Sequence, residues 1–490
     1  MMSRPLKILF ASAEVVPFAK TGGLADVAGA LPKALEELGH DIRVVMPRYG
    51  RIDIEKFHLQ KVVEHLDVPM NHSTETVSVY KGNIGKNVPV YTIDSPTYFN
   101  REGIYGYQDD GERFILFCRA ALEMVKALDW QPDIIHCNDW HTAIIPNWMA
   151  TIYKDDPFFA KTATVYTIHN LAYQGVFGYR ILEIAGIDEQ GFVYPQISEL
   201  SNVVDLMGRG ILFADVVNTV SETYAEEIRT PEYGEKLDPV LRDRADCLVG
   251  IVNGVDYEEQ NPLTDSFLVK NYDVNSIDAK IENKVALQKE ANLPQDPDVP
   301  LIGMISRLTN QKGFDILGSC IDHLFNLNNV QLVLLGTGDQ HYHEMFSDLV
   351  RQFPHQAAVF LTFNAALAQK IYAGSDMFLM PSKFEPCGLG QLIAMHYGSV
   401  PIVRATGGLA DTVEDLNPAL GCGTGFVFKP YDRWALYGAI IRALETYRYK
   451  TVWRQIQERG MKADFGWERS AKKYISLYEK ALVTKIGRVG

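Results

Sequence analysis

None of the six cysteines forms a CxxC pair: Cys118, Cys137, Cys247, Cys320, Cys387 and Cys422 are scattered over 490 residues. Scattered in this way, they read as reduced thiols in a cytoplasm-like compartment. No apolar run approaches the ~20 residues of a membrane helix. The opening MMSRPLKILFASAEV has only a short apolar stretch before Glu14 and makes a poor signal peptide. A soluble, cytoplasmic protein is the expectation. Basic residues are in deficit, 47 Lys and Arg against 61 Asp and Glu, for a formal charge of −14. That surface argues against nucleic acid or an anionic membrane as partner, and any anionic ligand needs a local cluster of cations. Three catalytic signatures are also missing. There is no GxGxxG at the first strand–helix turn and no GxSxG elbow, which disfavours a dehydrogenase and a Ser–His–Asp hydrolase. No GK[ST] follows either glycine loop, so neither is a P-loop.

What is present is an ordinary globular composition, 47% hydrophobic and 22% charged, with material for two large α/β domains or about three smaller ones. Buried-strand signals alternate with helical patterns. LKILFASA is followed by GGLADVAGALPKALEELG, where Leu24, Val27, Leu31, Leu35 and Leu38 fall near helical spacing and Gly39 stops the run. DIRVVMP, VPVYTI, PDIIHCN, ATVYTIHN and DVVNTVS continue the series. After a patternless stretch and the loop Asn292–Pro300, LIGMISR restarts it, and VQLVLLGTGD, AVFLTFN, MFLMPSKFE, VPIVRATGG and TGFVFKP follow. Such alternation predicts parallel βαβ units, and the restart predicts two doubly wound domains in tandem, joined near Gly250–Asp256. The six letters TGGLAD occur twice, at Thr21–Asp26 and Thr406–Asp411.

Parallel sheets place ligands beyond the carboxyl ends of their strands, and that is where polar residues gather. His136, Asp139 and His141 end one run, and His169 and Asn170 another. Arg307 ends a third, with Lys312 five residues on; Lys383, Glu385 and Cys387 end a fourth, and Arg404 and Thr406 a fifth. Two neighbouring cations in an acidic chain suit a diphosphate, and amides at Gly388–Leu389, opening a helix, add an anion site; a pair of surface cations is the bland alternative. The histidines fit a hydroxyl-rich ligand, with zinc ligands and hydrogen-bonded core histidines as alternatives. Cys387 reads as a site-lining thiol rather than a nucleophile.

KTGGLADV, HCNDWHT, YTIHNLAYQG, IVNGVD, SRLTNQKG, PSKFEPCGLGQL and TGGLADTV stand in one order over nearly the whole chain. In this the sequence resembles the bacterial glycogen synthase and plant starch synthase family. The resemblance implies the glycosyltransferase-B architecture: two Rossmann-like, doubly wound α/β domains facing a deep cleft. It places an acceptor-side domain at 1–253, a nucleotide-sugar-binding domain at 254–465, and a C-terminal helix at about 466–490 packing back on the first. It implies glucose transfer from ADP-glucose to the non-reducing end of an α-1,4-glucan (glycogen, starch or a maltooligosaccharide), with retention, no cofactor and no obligatory metal. Carried over residue by residue, Arg307 and Lys312 hold the diphosphate, aided by Gly388 and Leu389, with Lys20 reaching the same leaving group. Glu385 binds glucose hydroxyls, and His169, Asp139 and Asn253 line the glucose pocket. Phe363 falls where the family stacks an aromatic on adenine, Gly22 and Gly23 leave room for phosphate, and Cys387 lines the donor site. Asp26, His141, Asn170, Thr406 and Gly407 are assigned to the glucan or sugar pocket. The two TGGLAD loops are expected to face one another, one per domain. The family is read as a front-face, ion-pair-like transferase; related enzymes with a second Glu eight positions after the first have Ile393 here. Ala25, where plant members usually have Gly, leans bacterial, with a plastid origin as the alternative. A retaining transferase using another donor and an idle glucan-binding protein are the competing functions.

Overall fold

A computed structural model describes residues 4–70, 73–187 and 203–489. Met1–Ser3, the start of the stretch read as a poor signal peptide, lie outside the described residues. The chain divides into two compact units, 1–254 with 467–490, and 255–466.

The first unit is built on a nine-stranded sheet with β1 (Lys7–Ala11), β2 (Asp41–Pro47), β3 (Gln60–Met70), β4 (Ser73–Ile84), β5 (Val88–Asp94), β6 (Ile134–Asn138) and β7 (Ala163–Ile168). A small antiparallel pair, β8 (Val176–Gly178) and β9 (Val203–Asp205), stands apart, and β10 (Val216–Thr219) and β11 (Leu248–Gly250) complete the large sheet. Its order is β11-β10-β7-β6-β1-β2-β5-β4-β3, parallel from β11 to β5. The parallel strands are near-continuous apolar runs because helices cover both faces. Helix Gly23–Glu37 follows the first TGG, and Gly39, at φ 92°, ends it with its N–H on Glu36 O. The hairpin β3–β4 is a difference from the all-βαβ expectation. Most β3 side chains are exposed, and burial is confined to alternating positions such as Leu66 and Val68, paired with a β4 that buries Val77 and Val79. An edge hairpin of this kind lacks the long apolar run that marks a central strand. The last helix, Trp467–Val489, belongs to this unit: Trp467, Ala471, Tyr474 and Tyr478 enter its core.

The second unit holds β12 (Leu301–Ile305), β13 (Gln331–Leu335), β14 (Ala357–Phe360), β15 (Met377–Met380), β16 (Val400–Arg404) and β17 (Phe426–Phe428). All are parallel, in the order β14-β13-β12-β15-β16-β17. The order reverses between β12 and β15, the switch point where such sheets bind ligands. The loops carrying Arg307 and Glu385 follow those two strands. No described helix is long and apolar enough to cross a membrane.

Candidate functional site

In the first unit the loop between β1 and helix Gly23–Glu37 is set by a buried carboxylate. Glu14, 4% exposed, accepts the Thr21 N–H and, at 3.0 Å, the Gly22 N–H on one oxygen. Its other oxygen accepts the Tyr105 hydroxyl at 2.7 Å. A Cβ added at Gly22 or Gly23 would meet nothing within 4 Å, so this loop borders open space. Lys20 Nζ lies 2.6 Å from Asp26 Oδ1, so these two expected ligand contacts are partners of one another. Burial raises the Asp26 carboxyl pKa, and Lys20 opposes the shift.

Beyond β6 stands Asp139, at φ 54°, a left-handed conformation that costs a non-glycine residue about 1–3 kcal/mol. Its backbone is tied on both sides, N–H to Thr167 O at 3.0 Å and C=O to Thr142 N at 3.2 Å. Its Oδ1 accepts the His169 N–H at 2.8 Å. Burial pushes this carboxyl up to about 7, with Glu14 adding to the effect and the backbone N–H groups of His169 and Asn170 opposing it. His169 Nε2 is 2.9 Å from Asn138 Oδ1, and burial drops the imidazole to about 3. It is a neutral, half-buried hydrogen-bonding ring. The Asn170 side chain accepts the Ala172 N–H at 3.1 Å. Asp139, His169 and Asn170 are thus brought together.

His141 is buried, packed among Tyr105, Phe114 and Trp140 with ring centroids 4.7, 4.7 and 4.1 Å away. Its Nδ1 has no partner among the described residues, and burial, then Arg113, brings it down to about 3. Asn253 is buried with Oδ1 unpartnered among the described residues. His136 is a core histidine: Nδ1 is 2.9 Å from the Tyr478 hydroxyl and Nε2 2.7 Å from Thr167 Oγ1.

The second unit gathers its residues through two interlocked loops. Lys312 ends the turn Asn310–Lys312, and Gly313, at φ 76°, follows so tightly that a Cβ there would lie 2.0 Å from Pro381 O. Gln311 O accepts the Lys383 N–H at 2.8 Å, and Gln311 Nε2 donates to Phe384 O at 3.2 Å. The stitching delivers Lys312 Nζ to 2.7 Å from Glu385 Oε2, which also accepts the Ser382 hydroxyl at 2.9 Å. Glu385 is 6% exposed, and Arg307 stands exposed on the loop after β12. Cys387 is buried, and Gly388, at φ 73°, and half-buried Leu389 precede helix Gly390–His396. Gln391 Nε2 braces that bend on Cys387 O at 3.1 Å and Gly388 O at 2.9 Å.

The second TGG lies against this loop. Thr406 is fully buried and Gly407 has φ 44°. A Cβ at Gly407 would come 2.0 Å from Glu385 O, and one at Gly408 2.1 Å from Cys387 O. The Gly408 N–H donates to Glu385 O at 3.1 Å. Identical letters therefore serve different ends: one copy borders space, the other is packed on the carbonyls of a neighbouring loop. Phe363, 80% exposed, offers a bare ring just before helix Ala365–Gly374, whose cap is the Asn364 side chain.

Chemically, the second unit presents an exposed guanidinium, an ammonium on a buried carboxylate and a bare aromatic ring, a set suited to a nucleotide anion. The first presents neutral imidazole, a carboxyl poised near neutrality and amides, a set suited to hydroxyls. Among the described residues no group of three or more His, Cys, Asp or Glu is placed to hold a metal ion. The sequence pattern did not single out Glu14, Tyr105 or Asn138. Glu14 carries the one available signal, a carboxylate soon after an apolar strand.

A family model described as the starch synthase catalytic domain matches residues 7–243, and one described as glycosyl transferases group 1 matches residues 285–459. The chain is 51% identical over 494 residues to a glycogen synthase of Desulforudis audaxviator, covering 98% of each. It is 48% identical over 489 residues to a glycogen synthase of Thermotoga maritima, covering 99% of this chain and 100% of that one. Among solved structures, the catalytic domain of starch synthase IV from Arabidopsis thaliana, bound to ADP and acarbose, superposes with a TM-score of 0.92 at 34% identity, covering 98% of this chain and all of the other.

Proposed function

Because the chain belongs to the glycogen/starch synthase family of glycosyltransferases, with the glycosyltransferase-B architecture, we propose that it transfers glucose from ADP-glucose to the non-reducing end of an α-1,4-glucan with retention. The observation that carries the reading is the Lys312–Glu385 pair at 2.7 Å, delivered by interlocked loops at the switch point of the second sheet. In this reading Lys312 and Arg307 bind the diphosphate and take up charge as it departs, with Lys20 and the Gly388 and Leu389 amides assisting. Phe363 stacks on adenine. Glu385 holds glucose hydroxyls, with Cys387, Thr406 and Gly407 shaping its surroundings. In the first unit His169, Asp139, Asn170 and Asn253 contact sugar, Asp26 and His141 shape the glucan side, and the clearance at Gly22 and Gly23 admits phosphate.

The bond from glucose C1 to the phosphate oxygen breaks, and the acceptor hydroxyl oxygen bonds to C1 on the same face. The acceptor proton passes to the departing phosphate. The protein supplies positioning and electrostatics, and neither a metal nor an organic cofactor takes part. The starch synthase bound to ADP and acarbose supports both the nucleotide and the glucan assignment, and the bacterial relatives support a cytoplasmic setting.

The test is incorporation of labelled glucose into glycogen from ADP-glucose and, separately, UDP-glucose, with chelator throughout. Strong transfer from ADP-glucose alone is expected. Preference for UDP-glucose, or loss of activity with chelator, overturns the donor or the metal-free reading.

A further inference from the structure

A cavity of about 210 Å³ opens in the second unit, lined by Lys280, Lys284, Asp376, Lys450, Trp453 and Arg454 among others. Asp376 immediately precedes β15. The cavity therefore lies at the amino ends of the strands, the opposite edge of this sheet from the loops bearing Arg307, Lys312 and Glu385.

Two of its cations have their own carboxylates. Lys284 Nζ is 2.7 Å from Asp376 Oδ2 and also donates to Pro297 O and the Tyr447 hydroxyl. Arg454 pairs with Asp278 at 2.5 Å and Glu458 at 3.2 Å. Lys280 and Lys450 form no ion pair among the described residues. Buried Lys280 donates to the backbone carbonyls of Tyr372 and Ala373, at 3.0 and 2.6 Å. Lys450 Nζ sits 3.3 Å from the centre of the Tyr447 ring. The remaining lining carboxylate, Asp298, is exposed. Burial pulls both lysines below their ordinary range, Lys280 to about 7, with Lys284 adding to the shift and Asp376, joined by Asp298 at Lys450, opposing it.

Further donors meet them. Trp453, 3% exposed, lines the same cavity, and its indole N–H has no acceptor among the described residues. The thirteen-residue helix Lys450–Lys462 begins here, and its N-cap residue Tyr449 makes no side-chain bond to it. Its first-turn N–H groups lack a capping side chain and carry the positive end of the helix dipole.

We propose that this cavity binds a small phosphate-bearing anion through Lys280, Lys450, the Trp453 N–H and the start of helix Lys450–Lys462, at a site separate from the transferase loops. A phosphate group matches the donors: it carries up to two charges and accepts several hydrogen bonds at once. The volume is many times that of one water, so inorganic phosphate and the phosphate of a small sugar monoester both fit.

The experiment is isothermal titration of the full chain with inorganic phosphate and, separately, with a hexose monophosphate. The parent, Arg307→Ala, Lys450→Ala and Trp453→Phe are compared, each with its melting temperature. Saturable binding is expected in the parent and in Arg307→Ala, with affinity at least about tenfold weaker in Lys450→Ala and Trp453→Phe. Equal affinity for both probes identifies the phosphate alone as the ligand, and tighter binding of the monoester identifies a sugar phosphate. Lys450 is exposed, so its substitution keeps the test decisive if Trp453→Phe fails to fold. Binding lost in Arg307→Ala but kept in Lys450→Ala would place the anion on the transferase loops and overturn the proposal, as would no saturable binding of either probe at tens of millimolar.

Discussion

Gly23 and Gly408 occupy the same place in the two TGGLAD copies, and alanine there should produce opposite results. At Gly408 the new methyl would fall 2.1 Å from Cys387 O, 2.5 Å from Cys387 Cα and 2.6 Å from Cys387 C. All three are backbone atoms, so no side chain can rotate away, and the loop holding Glu385 and Cys387 must shift. Overpacking of this kind costs about 1–3 kcal/mol. For a unit the size of 255–466, each kcal/mol lowers the melting midpoint by about 2–4 °C, giving a drop of roughly 2–12 °C. At Gly23 the methyl meets nothing within 4 Å, and the residue starts a helix. Alanine there should leave the midpoint unchanged or raise it, since it removes up to about 1 kcal/mol of glycine's entropic penalty. Transfer activity then separates packing from approach: Gly23→Ala should stay folded yet lose turnover, because the methyl fills the space assigned to phosphate. Differential scanning calorimetry and the ADP-glucose assay suffice. A neutral Gly408→Ala, or a destabilising Gly23→Ala, would refute the argument that one motif serves two purposes.

Lys312→Ala should lose most of its turnover and also about 3 kcal/mol of stability, because it strands the buried Glu385 carboxylate. The double variant Lys312→Ala, Glu385→Gln should recover stability but not turnover, as read by urea unfolding beside the kinetics. Phe363→Ala, at an exposed ring, should leave melting unchanged and weaken ADP by about 1–3 kcal/mol in a titration; unchanged affinity would remove the stacking role. His136, His141 and His169 have imidazoles held at about 3 in the folded chain. The stability they contribute is complete above about 6.5, the unfolded value, and is lost as pH falls from there toward 3. Each contributes a slope of up to about 1.4 kcal/mol per pH unit, so a flat unfolding free energy between pH 6.5 and 4.5 would contradict their burial. Asp139 works in the opposite sense: raised to about 7, it contributes stability that is complete below about 3.9, the unfolded value, and is lost as pH rises from there to 7. Asp139→Asn should therefore raise the melting temperature more at pH 8 than at pH 5.5, as read by calorimetry at the two pH values.

The parallel strands were legible because a strand covered on both faces must be apolar throughout, and LKILFASA or LIGMIS admits little else. The β3–β4 hairpin was not, since its exposed face is written in Lys, Glu, Ser and Thr and only Leu66, Val68, Val77 and Val79 face inward. Strand-end positions pointed to where polar groups collect but not to whom they bond. His136 and His169 look alike in sequence, each near the end of an apolar run. One is locked between Tyr478 and Thr167, and the other stands half-buried beside Asn138. The distinction depends on Tyr478, 342 residues away, and no local pattern carries it. Glu14 escaped for the same reason: its partners are two backbone amides and a tyrosine 91 residues on.

Helix Trp467–Val489 makes the first unit discontinuous in sequence. Tyr474 and Tyr478 supply hydroxyls to Asn218 and His136 in the interior of a sheet whose strands leave the ribosome far earlier. The whole of 255–466 must be synthesised before that gap is filled, a wait of roughly 10–50 s at ordinary elongation rates. During this interval the nascent first unit has an unfilled groove along its core, while the second can close on residues already made. The order of folding is thereby written into the order of synthesis, with the unit encoded in the middle able to finish before the one that begins the chain.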